Sequence, residues 1–247
     1  MNIISNILYF FIRKILPGFK INRSDLVLDI GSGDKPFWRA DVYVDKLSLD
    51  NSQRTTGEKT IHGIGLFIDS DVINLPFKDK VFDFSFCSHL LEHVEDPALV
   101  IKEITRISKR GYLEVPNGIC ESIVPFDSHL WFVYTDNNKL VFIRKSKKIH
   151  DILKVNGIKH HKILGKISDP FIRLYWDGKI DYEVIDTYSG KEKHHSSPLN
   201  NDDPHARGGG KWYLNLVKIL RMFFYKSKNK EKLMSIIDKN QVYEGKI

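Results

Sequence analysis

The chain has 247 residues, 42% hydrophobic and 28% charged, which is enough for one substantial core and unlike a disordered tail. Lysine and arginine number 38 against 31 aspartates and glutamates, so the net charge of +7 admits an anionic partner without choosing one. Two cysteines, Cys87 and Cys120, exclude a disulfide framework and a cysteine-rich zinc site, and no apolar run approaches the ~20 residues that span a bilayer.

The first element is a helix over residues 3–16, with Ile3, Ile4, Ile7, Leu8, Phe11 and Ile15 at helical spacing and Pro17-Gly18 as the stop. Its basic residues follow the apolar run instead of preceding it, and no small-residue cleavage site comes after, so it does not read as a signal peptide. Two readings of the helix stay open. It packs on the domain, or it lies on an anionic membrane surface through Arg13, Lys14 and Lys20.

From Leu26 the pattern changes. Leu26-Val27-Leu28-Asp29-Ile30 is a short apolar run closed by Gly31-Ser32-Gly33, a buried strand running into a tight turn. Further strands are expected at Asp41–Asp45, Ile64–Ile68 and Val81–Cys87. Asp96 caps a helix whose first turn holds Pro97 and whose apolar positions are Leu99, Ile101, Ile104 and Ile107. Tyr112–Val115 is a fifth strand. Strands alternating with crossovers indicate a parallel sheet covered on both faces.

After Asn117 the style becomes antiparallel. Trp131–Thr135 and Leu140–Lys145 flank Asp136-Asn137-Asn138, a hairpin. Phe171–Trp176 and Lys179–Asp186 flank Asp177-Gly178, a second hairpin signal. A helix is expected over Lys148–Val155. Residues 187–211 read as a mobile loop. The segment Trp212–Asn240 is amphipathic and rich in lysine. His194, His195 and His205 fall in the polar loop, which does not hold ligands in place, and no metal site is expected in the chain.

The glycine turn carries the first chemistry. Glycines after a buried parallel strand let a ligand approach the backbone, and nucleotide-like cofactors bind there. Asp45, sixteen residues after Asp29, ends the next strand, where a carboxylate can accept both hydroxyls of a ribose. Two cofactor classes share this layout. A dinucleotide site wants a third glycine where Pro36 stands, and Asp29 would repel a pyrophosphate. S-adenosylmethionine has no phosphate and carries an ammonium and a sulfonium, which suit acidic surroundings.

Five segments then come in order: Leu28-Asp29-Ile30-Gly31-Ser32-Gly33, Asp71-Val72-Ile73-Asn74-Leu75-Pro76-Phe77, Phe82-Asp83-Phe84, His89-Leu90-Leu91-Glu92-His93-Val94-Glu95-Asp96-Pro97 and Glu103-Ile104-Thr105-Arg106. Together they resemble class I S-adenosylmethionine-dependent methyltransferases of the type 11 group. The resemblance covers Leu26–Asn117. It departs at Lys109-Arg110-Gly111-Tyr112, where the family usually has Lys-Pro-Gly-Gly.

The resemblance implies an α/β, three-layer Rossmann-like methyltransferase fold, with a mostly parallel seven-stranded sheet and an antiparallel hairpin at its end. The expected organisation is an amphipathic helix over 1–20, the methyltransferase domain over 21–186 with a hairpin insertion near 118–146, the loop over 187–211 and a basic helical segment over 212–247. S-adenosyl-L-methionine is the implied cofactor. Gly31, Ser32 and Gly33 should form the loop under its methionine moiety, and Asp29 should anchor the ammonium. Asp45 should hold the ribose. Asp71 should accept from the adenine amino group, with the Val72 N–H beside it. Ser88 and His89 should lie along the cofactor.

A base is needed where the acceptor must lose a proton, and the candidates are His89, Glu92, His93 and His129. His129 follows the fifth strand at the edge where the acceptor should enter, so His129 and then His89 are the candidate catalytic residues. The competing account of His129 is a packed loop residue, and that of His93 a structural contact. The expected activity is methyl transfer to a small molecule or glycan, with surface-polysaccharide synthesis as the suggested setting. The alternatives are an RNA methyltransferase and an inactive methyltransferase-like binding protein. A cytoplasmic protein is expected. Contact with the inner face of a membrane through the N-terminal helix and Lys218, Arg221, Lys226, Lys228 and Lys230 competes with simple packing of both segments on the domain.

Overall fold

The computed structural model describes residues 18–33, 35–46, 65–123, 125–146, 169–186, 210–225, 228 and 230–237. The helices expected at 3–16 and 148–155, and the loop histidines His194, His195 and His205, lie outside the described residues.

Five strands form the parallel core of one sheet. They are β1 (Val27–Ile30), β2 (Val42–Asp45), β3 (Leu66–Asp69), β4 (Phe84–Ser88) and β5 (Arg110–Pro116). A sixth, β8 (Phe171–Asp177), runs antiparallel along β5, and the order across the sheet is β3-β2-β1-β4-β5-β8. β1 and β4 are neighbours, although two strands intervene in sequence. The chain therefore moves outward from β1 first in one direction and then in the other. At such a reversal the loops leaving the two strands part and leave a crevice at their carboxyl ends.

Alternation along β1 explains the two buried faces. Leu28 and Ile30 join Val42 and Val44 on one side, where α1 (Pro97–Ile107) packs Val100, Ile101, Ile104 and Ile107. Val27 joins Tyr43, Phe84, Phe86 and Tyr112 on the other, covered by Phe37 and by Tyr213 and Val217 of α3 (Gly210–Phe224). These are the three layers that the sequence predicts. At the start of α1, Asp96 accepts from the Leu99 N–H at 3.1 Å with Pro97 in the first turn. Leu99 is 45% exposed, however, and Val100 takes the buried position expected for it.

A second sheet follows α2 (Gly118–Ile123). Its strands are β6 (Trp131–Asp136), β7 (Lys139–Arg144) and β9 (Tyr182–Ile185), in the order β6-β7-β9. β6 and β7 form the expected hairpin, and Asn137 and Asn138 both take positive φ, as a tight turn between twisted strands requires. The hairpin expected at Asp177-Gly178 does not form. Gly178 takes φ +70°, yet β8 stays on β5 while β9 crosses to pair in parallel with β7. The turn is local, whereas each strand's partner is chosen by the edge it meets. Among the described residues the main sheet accordingly has six strands instead of seven.

The basic C-terminal segment forms α3 and the short α4 (Lys230–Met234). Arg221 turns inward and donates to the carbonyls of Trp38 and Ala40 and to the Tyr43 hydroxyl. Lys228 donates to the carbonyls of Ser24 and Asp25. These two charges, for which a lipid-facing surface competed with packing on the domain, hold α3 and its sequel to the domain. Among the described residues no helix is long and apolar enough to cross a membrane.

Candidate active site

Parallel strands bring the ends of β1, β2, β4 and β5 to one edge. After β1, the N–H groups of Gly31 and Ser32 both donate to Val44 O, which folds the turn back over β2. Gly31 has φ +70° and Gly33 φ +51°. A Cβ on Gly31 would lie 3.1 Å from Leu90 Cδ1, so the turn rests on that side chain. Above Gly33 a Cβ would meet, among the described residues, only Asp45 Oδ2, at 3.9 Å. Asp45 Oδ2 accepts the Gly33 N–H at 2.6 Å, so the carboxylate at the end of β2 fixes the turn it faces.

Ser32 is buried, and its hydroxyl has no hydrogen-bond partner among the described residues. An unmatched buried hydroxyl in a glycine cradle beside a carboxylate fits a polar cationic ligand. Asp29 is also buried and accepts the Phe37 N–H at 2.6 Å, which places it as a brace for the returning loop. Asp71 stands just beyond β3. Its Oδ1 accepts the Ile73 N–H at 3.2 Å, and Oδ2 pairs with Lys46 at 3.0 Å. Both side chains of that pair are exposed, so the bridge is weak and readily exchanged. Val72 beside it is half-buried.

The end of β4 supplies the other wall. Ser88 donates to Glu114 Oε1 at 2.9 Å. His89 follows at φ +57°, a strained conformation for this residue type, and its N–H donates to Glu114 O. Its Nδ1 lies 2.9 Å from Glu92 Oε1, and its Nε2 lies 3.5 Å from Glu114 Oε1. The imidazole is 32% exposed while both carboxylates are buried, so His89 is the group of this set that solvent or a substrate can reach. Phe171 of β8 closes one side with an edge-on ring contact at 5.1 Å.

Glu114 was not singled out by the sequence reading. It sits in an apolar strand, and a carboxylate in such a run was the available signal. Tyr112 and Arg173 both donate to Oε2. Burial raises its pKa to about 7, with Arg173 pulling the other way.

His129 lies deeper than the sequence suggested. Its side chain is 7% exposed, and Nδ1 is 2.8 Å from Glu121 Oε2. Lys145, also buried, pairs with the other oxygen of Glu121. Neither Glu121 nor Lys145 was anticipated. His93 stands edge-on to His129 at 4.7 Å and gives Nδ1 to the Ser128 carbonyl at 3.0 Å, the structural contact expected of it. Burial holds the His93 pKa down to about 3. His89 thus faces the crevice, and His129 stands behind it, with Glu92 and His93 between.

Residues 28–113 match a family model described as a methyltransferase domain. The uncharacterized protein MJ1123 of Methanocaldococcus jannaschii is 30% identical over 141 residues, 55% of this chain and 65% of that one. A demethylmenaquinone methyltransferase of Paenarthrobacter aurescens is 32% identical over 112 residues, 44% of this chain and 43% of that one. The chain thus spans between about two fifths and two thirds of the length of these relatives. Among solved structures, the PH0226 protein of Pyrococcus horikoshii is 19% identical at a TM-score of 0.37, covering 62% of this chain and 80% of that one.

Proposed function

From the premise that the chain carries a class I S-adenosylmethionine-dependent methyltransferase domain of the type 11 group, we propose that it methylates a hydroxyl of a small molecule or glycan, with His89 as the base. The observation that carries this reading is the placement of His89. It is the half-buried, solvent-reachable imidazole at the end of β4, held by Glu92 and set beside the turn that rests on Leu90.

S-adenosylmethionine, when bound, supplies an electrophilic methyl group on a sulfonium. The residues present fit it. Among the described residues the space above Gly33 is open up to Asp45 and the Ser32 hydroxyl has no partner, and Asp45 and Asp71 give the edge negative charge. Asp45 is the ribose acceptor in this reading, and Asp71 with the Val72 N–H serves the adenine.

A carboxylate only accepts, so the short contact to Glu92 places the proton of neutral His89 on Nδ1, and Nε2, which stands 3.5 Å from Glu114 Oε1, is the nitrogen that takes the acceptor's proton. Glu92 then steadies the imidazolium that forms when Nε2 takes the hydroxyl proton. Gly31, Gly33 and Asp45 would hold the donor and His89 would orient the acceptor hydroxyl toward its methyl group, and such alignment supplies much of the rate. A hydroxyl acceptor requires such a base, whereas a neutral amine needs it less.

The test is methyl transfer from a labelled donor to a panel of nucleotide sugars, glycans and RNA. Label recovered as a methyl ether on a sugar supports the reading. Label confined to RNA, or to an amine nitrogen, overturns the hydroxyl assignment.

A further inference from the structure

Behind His89 lies a cluster of side chains of which the proposed methyl transfer uses only Glu92. Glu92, His93 and His129 each bring one ligand atom to within 4.8 Å of the others. They come from two loops that one backbone and one indole hydrogen bond tie together. The Leu130 N–H donates to Glu92 O at 2.7 Å, and Trp131 Nε1 donates to Val94 O at 2.8 Å.

The two imidazoles are also oriented. A carbonyl oxygen only accepts, so His93 Nδ1, facing Ser128 O, carries the proton and Nε2 keeps its lone pair. Glu121 does the same for His129, taking Nδ1–H and turning Nε2 away from itself. Lys145 pairs with Glu121 and holds that carboxylate in place. Histidines that bind metals carry this second contact, with the outer nitrogen given to a carboxylate or a carbonyl and the inner one left for the ion.

We propose that Glu92, His93 and His129 form a binding site for one divalent transition-metal ion of the zinc class, through Nε2 of each histidine and one carboxylate oxygen. Imidazole and carboxylate donors suit such an ion. Ligands at ~2.0–2.1 Å around a tetrahedral ion stand ~3.3 Å apart. His93 Nε2 and Glu92 Oε1 are now 4.0 Å apart and no edge of the triangle exceeds 4.8 Å, so side-chain rotations that close the edges by about 0.7 to 1.5 Å would bring the three ligands to one ion. Three protein ligands leave a fourth position for water or another donor, the pattern of an open site. Glu92 also holds His89, so occupancy would be felt at the crevice. The inference stands on this cluster alone and does not depend on which acceptor is methylated.

The test uses the full chain without an affinity tag, stripped by a chelator and dialysed. Co²⁺ is titrated in and followed by its visible absorption, and Zn²⁺ is then added as a competitor. The expected result is one Co²⁺ per chain, displaced by Zn²⁺. His93→Gln and His129→Gln should each weaken uptake by at least ~100-fold with an unchanged circular dichroism spectrum. A second variant guards against misfolding of those two. It replaces His62, His150, His160, His161, His194, His195 and His205 by glutamine, and it should titrate like the wild type. Absence of Co²⁺ uptake, uptake unchanged in both buried-histidine variants, or uptake lost in the seven-histidine variant overturns the proposal.

Discussion

Replacing Asp45 by alanine separates the two tasks assigned to this carboxylate. Oδ2 is committed to the Gly33 N–H at 2.6 Å, so at most the remaining acceptor capacity of the group is available to a ribose hydroxyl. A hydrogen bond to a charged group contributes about 1.5–3 kcal/mol. Loss of one such bond weakens binding by roughly 10- to 100-fold, at about 1.4 kcal/mol per decade. The Gly33 N–H also loses its partner, which frees the turn and adds to the loss. Calorimetric titration with S-adenosylhomocysteine reads the effect, because the product binds without turnover. Asp45→Asn keeps an acceptor oxygen and should fall between the wild type and the alanine variant. An alanine variant that binds within twofold of the wild type would refute the ribose assignment.

Three further outcomes follow from the same geometry. Gly31→Ala forces a side chain to φ +70° and to within 3.1 Å of Leu90, so thermal unfolding should show a loss of about 1–3 kcal/mol together with weakened S-adenosylhomocysteine binding; full retention of both would remove the cradle argument. His89→Gln should lower turnover by ~100-fold or more while leaving donor affinity intact, and unchanged turnover on the true acceptor would exclude His89 as the base. Glu114 supplies a pH dependence. Its pKa rises from 4.5 in the unfolded chain to about 7, so between these values the folded protein binds the extra proton, and stability falls as pH rises through the window. The group's contribution, about 3 kcal/mol at most, is fully present below pH 4.5 and lost above 7, and denaturant unfolding of Glu114→Gln should lack this slope; an unchanged slope would place its origin elsewhere.

The local signals in the sequence carried furthest where the contacts are local. Asp96-Pro97 specifies a helix start because the cap bond reaches only three residues ahead. Asn137-Asn138 specifies a hairpin because its two strands touch in the order they are made. The Gly31–Gly33 turn was legible because only glycine adopts its backbone easily. Asp177-Gly178 marks a real turn, but the partners of the flanking strands were invisible. β8 and β9 are claimed by β5 and β7, whose edges lie far away in sequence. The buried polar cluster was hidden for the same reason. His129 meets Glu121 eight residues away, Lys145 meets Glu121 across 24, and His93 meets Ser128 across 35. No periodicity encodes such pairs. The depth of His129 is likewise a result of packing. Its place after β5 suggested the crevice edge, whereas the hydrogen bond from Leu130 to Glu92 draws it inward.

Hydrogen exchange with and without saturating S-adenosylhomocysteine tests the central claim most directly, because it locates the donor on the chain. The account predicts slowed exchange in peptides containing Gly31–Gly33, Asp45-Lys46, Asp71-Val72 and Ser88-His89, with the β6–β7 hairpin turn at Asn137-Asn138 unchanged. Protection confined to other segments, or none at a saturating concentration, would contradict it.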